Sequence, residues 1–248
     1  MTEEQKQKAR ETLKPRFTFD DIPKVMERIK PTETYDDFKD VDIVIEAVIE
    51  DINVKKEVFR ELDQATPRYA ILGTNTSTLS ITEIASATKR PEKVIGIHFF
   101  NPATALPLVE VIPGLLTSEE TVTDVMDFIS GLRNQRYQMV PIRVKETPGF
   151  LVNRILGAML NEAYACLEEG VASMRDIDVA MRTGAGMPMG PFELSDLIGI
   201  DVIYHVTRSL HEQFGGNFPT RRIPQIIRHM YYSKRWGKKT GRGFYTYK

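Results

Sequence analysis

The sequence predicts an α/β fold for the first half of the chain and an almost wholly helical fold for the second half. Between residues 41 and 144, short runs rich in valine and isoleucine alternate with longer amphipathic stretches. This pattern is typical of strands and helices that alternate in a layered sheet. After Thr147-Pro-Gly149, apolar residues recur at helical spacing. We therefore expect a sheet domain over residues 1–146 and a helical domain over residues 147–248.

The elements of the sheet domain can be placed in order along the sequence. Charged and polar stretches at 2–14 and 21–30 predict solvated helices, and the β-branched run Val41–Val48 predicts a parallel strand buried on both faces. A charged helix is expected from about Val54 to Gln64. Helices are also expected to begin at Ser80 and at Thr117, where a hydroxyl residue precedes a glutamate by three positions, as in a capping box. The remaining predicted strands are 69–73, 93–99, 108–112 and 137–144.

The helical domain begins with a predicted helix that runs from Phe150 to a stop at Gly170. Ser173-Met-Arg-Asp176 has the spacing that caps a second helix. Two more helical segments, at about 190–213 and 223–234, precede a basic tail that contains glycine, Lys238–Phe244.

Composition excludes several classes of function. The chain has 248 residues, of which 42% are hydrophobic and 27% charged, as is ordinary for a globular protein. Its net charge of −1 gives no reason to expect nucleic acid or an anionic membrane as a partner, and no apolar run is long enough to span a membrane. The single cysteine, Cys166, rules out an intrachain disulfide and a cysteine-rich metal cluster. We therefore expect a cytoplasmic protein without a bound metal.

A histidine and a glutamate on neighbouring apolar segments are the first candidates for chemistry. His98 lies in Gly96-Ile-His-Phe-Phe-Asn-Pro102, and Glu110 lies in Pro107-Leu-Val-Glu-Val-Ile112. If both segments are strands, an imidazole and a carboxylate that orients it can come within hydrogen-bond reach, which suffices to move a proton near neutral pH. The alternative, a histidine that is merely satisfied by a neighbour at the end of a strand, remains open on these segments alone.

Five motifs follow one another along the chain: Gly96–Pro102, Leu108–Val111, Thr147-Pro-Gly-Phe-Leu-Val-Asn-Arg154, Gly186-Met-Pro-Met-Gly-Pro-Phe-Glu-Leu194 and Lys238-Lys-Thr-Gly-Arg-Gly-Phe-Tyr245. Their order resembles that of the 3-hydroxyacyl-CoA dehydrogenases, over nearly all of the chain from Val41 to Lys248. The resemblance implies an NAD-binding Rossmann-like domain with a parallel sheet, followed by an all-helical domain that forms most of a homodimer interface. It also implies an acyl-CoA substrate and a reaction of fatty acid metabolism, the interconversion of 3-hydroxyacyl-CoA and 3-oxoacyl-CoA with NAD.

The resemblance implies catalytic roles for four residues. His98 corresponds to the catalytic base and Glu110 to the carboxylate that orients it. Ser77 corresponds to a serine near the reacting oxygen and the nicotinamide. Asn153 corresponds to an asparagine on the first helix of the second domain that supports the substrate and the catalytic pair. Without the resemblance, Ser77 would be interpreted as a turn residue and Asn153 as a locally bonded amide.

The resemblance also implies that Glu50, Lys55, Asn101 and Lys239, together with Ser77, contact the dinucleotide. The residues alone do not predict this. By themselves, Lys55 and Lys239 would be interpreted as solvated surface charges, and Asn101, which precedes Pro102, as a turn residue.

The sequence departs from the family pattern at its beginning. A Rossmann domain normally opens with a strand and the turn Gly-x-Gly-x-x-Gly, whose glycines and helix N-terminus accommodate the pyrophosphate. That turn does not occur in this sequence. The expectation is a truncated domain that lacks one β-α-β unit, exposes an apolar edge at Val41–Val48 and binds NAD weakly. Two hypotheses follow: an NAD-dependent 3-hydroxyacyl-CoA dehydrogenase, or a truncated, catalytically impaired dimeric remnant that binds acyl-CoA but binds NAD poorly or not at all.

Overall fold

The computed structural model describes residue 2, residues 18–214 and residues 223–247, so the helix predicted at 2–14 lies outside the described residues. The chain divides into two compact units, Met1–Thr147 and Pro148–Lys248. Within the described ranges, no helix combines the length and the apolar character needed to cross a membrane.

The first unit contains five strands and four helices among its described residues. The helix predicted at 21–30 is only five residues long, preceded by a 3-10 turn at Phe19–Asp21, because the segment buries no side chain that would hold a longer helix in place. In chain order the elements are α1 (Ile22–Met26), β1 (Ile43–Glu46), α2 (Ile52–Ala65), β2 (Ile71–Thr74), α3 (Ile81–Ala85), β3 (Val94–Phe99), β4 (Leu108–Pro113), α4 (Glu119–Gly131) and β5 (Val140–Arg143).

The five strands form one sheet in the order β1-β2-β3-β4-β5. The pairs β1–β2, β2–β3 and β4–β5 are parallel, as predicted, but β3 and β4 are antiparallel. Only residues 100–107 join β3 to β4, and a parallel connection needs a crossover of about a dozen residues or more. The short loop therefore makes the chain reverse its direction, and the sheet is mostly parallel, with this one antiparallel pair.

Strand β1 is shorter and more exposed than predicted. It spans Ile43–Glu46 rather than Val41–Val48, and Ile45 is 36% exposed. Among the described residues, β1 pairs with β2 alone and lies at an edge of the sheet. The β-branched run correctly indicates a strand, but burial on both faces is wrong for this edge.

The alternation of side chains along β3 and β4 separates one apolar cluster from the face that carries His98 and Glu110. Ile95, Ile97, Val109 and Val111 are fully buried in one apolar cluster, together with residues of α4. Since successive side chains of a strand point to opposite faces, the even-numbered residues of β3 and β4 point away from this cluster. On that opposite face Gly96 packs closely against α3, because a Cβ added there would lie 2.9 Å from Ile81 Cδ1.

Ser80 and Ser173 begin helices as the sequence predicts, whereas the helix expected to begin at Thr117 is capped one residue later, at Ser118. The Oγ atom of Ser80 accepts a hydrogen bond from Glu83 N at 3.1 Å, and Ser118 Oγ accepts one from Thr121 N at the same distance. In the second unit, Ser173 Oγ accepts from Asp176 N at 3.2 Å. Each such cap stabilises its helix by about 1 kcal/mol.

The second unit is built from five helices among its described residues. The segment predicted as one helix at 190–213 is two helices, because Gly199 between them has a φ of 104°, which a helix cannot contain. The helices are α5 (Val152–Glu168), α6 (Met174–Thr183), α7 (Pro191–Ile198), α8 (Ile200–Phe214) and α9 (Gln225–Tyr232), followed by a 3-10 turn at Lys238–Thr240.

Buried Asp196 fixes the C-terminal segment of this unit. Its carboxylate, on a residue only 1% exposed, accepts hydrogen bonds from Phe244 N and Tyr245 N, both at 2.8 Å. The Tyr247 hydroxyl donates to the same carboxylate at 2.9 Å. Gly243 leaves the space that this carboxyl group occupies, because a Cβ there would overlap it.

A second buried carboxylate, Asp178, caps α7 from outside the helix. It accepts from Phe192 N at 2.8 Å and Glu193 N at 3.2 Å, and the Tyr245 hydroxyl donates to it at 2.7 Å. Burial, and then the hydrogen bond to Asp178, raise the pKa of Tyr245 well above its usual value. Phe244, Tyr245 and Tyr247 thereby bind the C-terminal segment to Asp178 of α6 and Asp196 of α7.

We expect the substitution Asp196→Ala to lower the free energy of unfolding by about 3 kcal/mol, since two buried amides and a hydroxyl lose their acceptor. Urea denaturation followed by circular dichroism measures the change. Asp124→Ala, at an exposed position of α4, is the control and should change stability by less than about 0.5 kcal/mol. Equal unfolding midpoints for the two variants would contradict this account of the C-terminal segment.

Candidate active site

The antiparallel register of β3 and β4 pairs His98 directly with Glu110. His98 Nδ1 lies 2.8 Å from Glu110 Oε2, and the two residues are 4% and 0% exposed. A buried carboxylate at this distance is an acceptor, so Nδ1 carries the proton that it donates. The other ring nitrogen, Nε2, is then left with the lone pair of a neutral base.

Ser77 lies at that second nitrogen. Ser77 follows the end of β2, and its Oγ atom is 3.1 Å from His98 Nε2. Because Nε2 is the acceptor in this tautomer, the Ser77 hydroxyl donates to it. The ring of Phe100 packs beside the imidazole with a centroid separation of 4.7 Å. Consecutive hydrogen bonds thus join Ser77, His98 and Glu110 at the end of the sheet where β2 and β3 terminate.

Glu50 holds the turn that carries Ser77. Its Oε1 atom accepts from Thr76 Oγ1 at 2.6 Å, from Ser77 N at 2.9 Å and from Thr78 N at 3.2 Å. The Glu50 side chain is nevertheless 40% exposed. One carboxylate therefore fixes the backbone of the Ser77 turn and remains accessible beside it.

Lys55 is buried, so the interpretation as a solvated surface charge is wrong for this residue. Its side chain is 1% exposed, and Nζ lies 2.7 Å from Glu46 Oε1 and 3.3 Å from Glu50 Oε2. Lys55 is in the first turn of α2, which begins just beyond the end of β1. This position brings its ammonium group to the two glutamates that end β1 and follow it.

Asn101 lies on the exposed surface immediately beyond β3, before a cis peptide bond to Pro102.

Asn75 was not among the predicted site residues. Its Oδ1 atom accepts a hydrogen bond from Phe99 N at 2.9 Å and so fixes the end of β3 next to His98. The signal for Asn75 was its place in a polar run, Thr74–Thr78, directly after a buried strand.

Asn153 and Lys239 belong to the second unit, and their implied roles stay predictions. Asn153 is half-buried in the first turn of α5. Lys239 is exposed in the turn Lys238–Thr240, where Nζ donates to Asp201 Oδ2 at 2.6 Å. The other predicted site residues that come together lie in the first unit. They are His98, Glu110, Ser77, Glu50 and Lys55.

Both units match models of known domains. Residues 1–147 match the family described as 3-hydroxyacyl-CoA dehydrogenase, NAD binding domain, and residues 149–247 match 3-hydroxyacyl-CoA dehydrogenase, C-terminal domain. The chain is 49% identical over 209 residues to a 3-hydroxybutyryl-CoA dehydrogenase of Clostridioides difficile, covering 84% of this chain and 72% of that protein. It is 42% identical over 243 residues to a probable 3-hydroxybutyryl-CoA dehydrogenase of Bacillus subtilis, covering 98% and 82%.

A solved structure agrees with these sequence matches. The (S)-3-hydroxybutyryl-CoA dehydrogenase of Ralstonia eutropha superposes with a TM-score of 0.85 at 40% identity, covering 94% of this chain and 80% of that one. These findings confirm the α/β domain followed by a helical domain and NAD as the cofactor, and they do not favour the impaired remnant. The chain belongs to the 3-hydroxyacyl-CoA dehydrogenase family of NAD-dependent oxidoreductases.

Proposed function

We propose that His98 and Glu110 carry out the proton transfer that accompanies interconversion of a 3-hydroxyacyl-CoA and a 3-oxoacyl-CoA in this chain. The observation that carries the proposal is the 2.8 Å contact of Glu110 Oε2 with His98 Nδ1. Because this contact places the proton on Nδ1, the lone pair of Nε2 points toward Ser77 Oγ. A base in this tautomer accepts the proton of a secondary alcohol in one direction and returns it in the other.

Each of the three residues then has a distinct task. Glu110 orients the imidazole and stabilises the positive charge that develops on it when Nε2 takes the proton. The Ser77 hydroxyl, already within hydrogen-bond distance of Nε2, is suited to bind the reacting oxygen of the substrate. Asn153, on the first helix of the second unit, is proposed to support the substrate, as the family resemblance implies.

The side chains beyond β1 and β2 fit the nicotinamide end of NAD. In open α/β sheets, dinucleotides bind beyond the carboxyl ends of parallel strands, and the turn that Glu50 holds lies at such an end. The accessible carboxylate of Glu50 can accept hydrogen bonds from ribose hydroxyls or a carboxamide. When bound, NAD supplies the acceptor for the hydride that leaves the substrate carbon. Lys55, Asn101 and Lys239 are the further residues proposed to contact it.

Relatives at 49% and 42% identity are named for 3-hydroxybutyryl-CoA, so a short acyl chain is the first substrate to test. The single cysteine, Cys166, fits a reducing compartment such as the cytoplasm.

We expect His98→Ala to lower kcat for oxidation of 3-hydroxybutyryl-CoA by about two orders of magnitude or more, because the base is lost. Formation of NADH, followed by absorbance, measures turnover. His229→Ala replaces an exposed histidine of the second unit and should leave kcat unchanged. Turnover by His98→Ala at the wild-type rate would remove the proposed role.

Titration with NADH separates the two hypotheses about the cofactor. An enzyme whose residues contact the dinucleotide should bind NADH saturably, with a Kd below about 1 mM, which corresponds to about 4 kcal/mol of binding free energy. Isothermal calorimetry measures the affinity. Absence of saturation at several times that concentration would support the remnant that binds acyl-CoA alone.

A homodimer is also proposed, through the helical unit, from the family resemblance. Sedimentation velocity should then give a mass near twice the 28.3 kDa of the chain. A species of 28.3 kDa alone at micromolar concentration would contradict the dimer.

A further inference from the structure

A buried ion pair lies behind the proposed active site. Glu46 and Lys55 have side chains that are each 1% exposed, and their charged atoms are 2.7 Å apart. We propose that Glu46 is a positioning residue that sets the place of the Ser77 hydroxyl at His98. This inference rests on the proposed proton transfer, and it assigns Glu46 a part in it without contact to the substrate.

The carboxylate of Glu46 collects donors from three different segments. Oε1 accepts from Lys55 Nζ at 2.7 Å and from Val48 N at 2.6 Å. Oε2 accepts from Thr74 Oγ1 at 2.7 Å. Burying a carboxylate is unfavourable unless such partners replace the hydrogen bonds that water would make. Glu46 therefore has one well-defined position, and it fixes the end of β1, the start of α2 and the end of β2 against each other.

Two routes lead from Glu46 to the Ser77 turn. In the first, Lys55 Nζ bridges Glu46 to Glu50 Oε2 at 3.3 Å, and Glu50 Oε1 accepts from Ser77 N at 2.9 Å. In the second, Thr74 Oγ1 donates to Glu46 and accepts from Thr76 N at 3.3 Å. Both routes end on backbone groups of the same turn, so a change at Glu46 displaces the turn rather than a single side chain.

This turn places the Ser77 hydroxyl 3.1 Å from His98 Nε2. A misplacement of about 1 Å in a catalytic group can cost roughly a hundredfold in rate. A small displacement of the Ser77 turn should consequently slow the chemical step while leaving the contacts that bind the rest of the substrate unchanged.

A second buried ion pair in the same unit provides a matched control. Asp63 and Arg90 have side chains that are 6% and 2% exposed, and Asp63 Oδ1 lies 3.0 Å from Arg90 Nε. Arg90 donates to backbone oxygens near the end of α2, Leu62 and Pro67 among them, and not to the Ser77 turn. If buried pairs in this unit served stability alone, substitutions at Glu46 and Asp63 would affect catalysis alike.

The test is a double-mutant cycle between Glu46→Gln and Ser77→Ala. We expect Glu46→Gln to lower kcat about tenfold, with KM for the acyl-CoA changed by less than about twofold. In the Ser77→Ala background the same substitution should lower kcat by less than about twofold, because residues that act through one group are not additive. Asp63→Asn should leave kcat per folded molecule unchanged.

Two additions keep the test decisive if Glu46→Gln folds poorly or if turnover is absent. Thr74→Val keeps the ion pair but removes the second route, and its loss of kcat should also vanish in the Ser77→Ala background. Nitrogen-15 NMR of labelled histidine reports the hydrogen bond at His98 Nε2 without requiring turnover. Glu46→Gln should shift that resonance toward its position in Ser77→Ala, whereas Asp63→Asn should not move it.

The inference is overturned if Glu46→Gln lowers kcat by the same factor in both backgrounds, or if it leaves the Nε2 resonance at the wild-type position. Failure of the proposed function looks different. In that case wild-type protein and His98→Ala have equal turnover, while the NMR result for Glu46→Gln still decides the inference.

Discussion

The contact between His98 and Glu110 depends on the register between two antiparallel strands. Residues directly opposite each other on neighbouring strands have their side chains on the same face, and in this sheet His98 is opposite Glu110. A shift of one residue would turn one of the two side chains into the apolar core. The apolar residues that alternate with them in β3 and β4 therefore define the packing and, at the same time, bring the base to its carboxylate.

The polar groups around His98 and Glu110 differ in what they contact and in how deeply they are buried. Glu110 contacts His98 directly, whereas Glu50 acts on the backbone of the turn that carries Ser77. Glu46 and Lys55 lie one contact further away, and their side chains are almost fully buried. In this arrangement, buried charges hold the groups that we propose to face the substrate, so that these groups depend on partners that water does not reach.

The sequence predicted those features that depend on local pattern. Short apolar runs indicated all five strands, and the serines at Ser80 and Ser173 begin helices as their spacing implied. The antiparallel turn between β3 and β4, the break at Gly199 and the burial of Lys55 were not predicted. The first two depend on the backbone path of short segments, which the apolar pattern does not specify. The burial of Lys55 depends on how distant segments meet, because a lysine in the first turn of a helix has the same local pattern whether it faces water or two glutamates.

The central claim is that His98 is a neutral base with its proton on Nδ1 and its lone pair on Nε2. Long-range proton–nitrogen correlation NMR of protein labelled with nitrogen-15 histidine measures this tautomer directly. At a pH where the imidazole is neutral, the account predicts a protonated Nδ1 and an unprotonated Nε2 for His98. A proton on Nε2 instead would contradict it, because the nitrogen beside Ser77 would then have no lone pair with which to accept the substrate's proton.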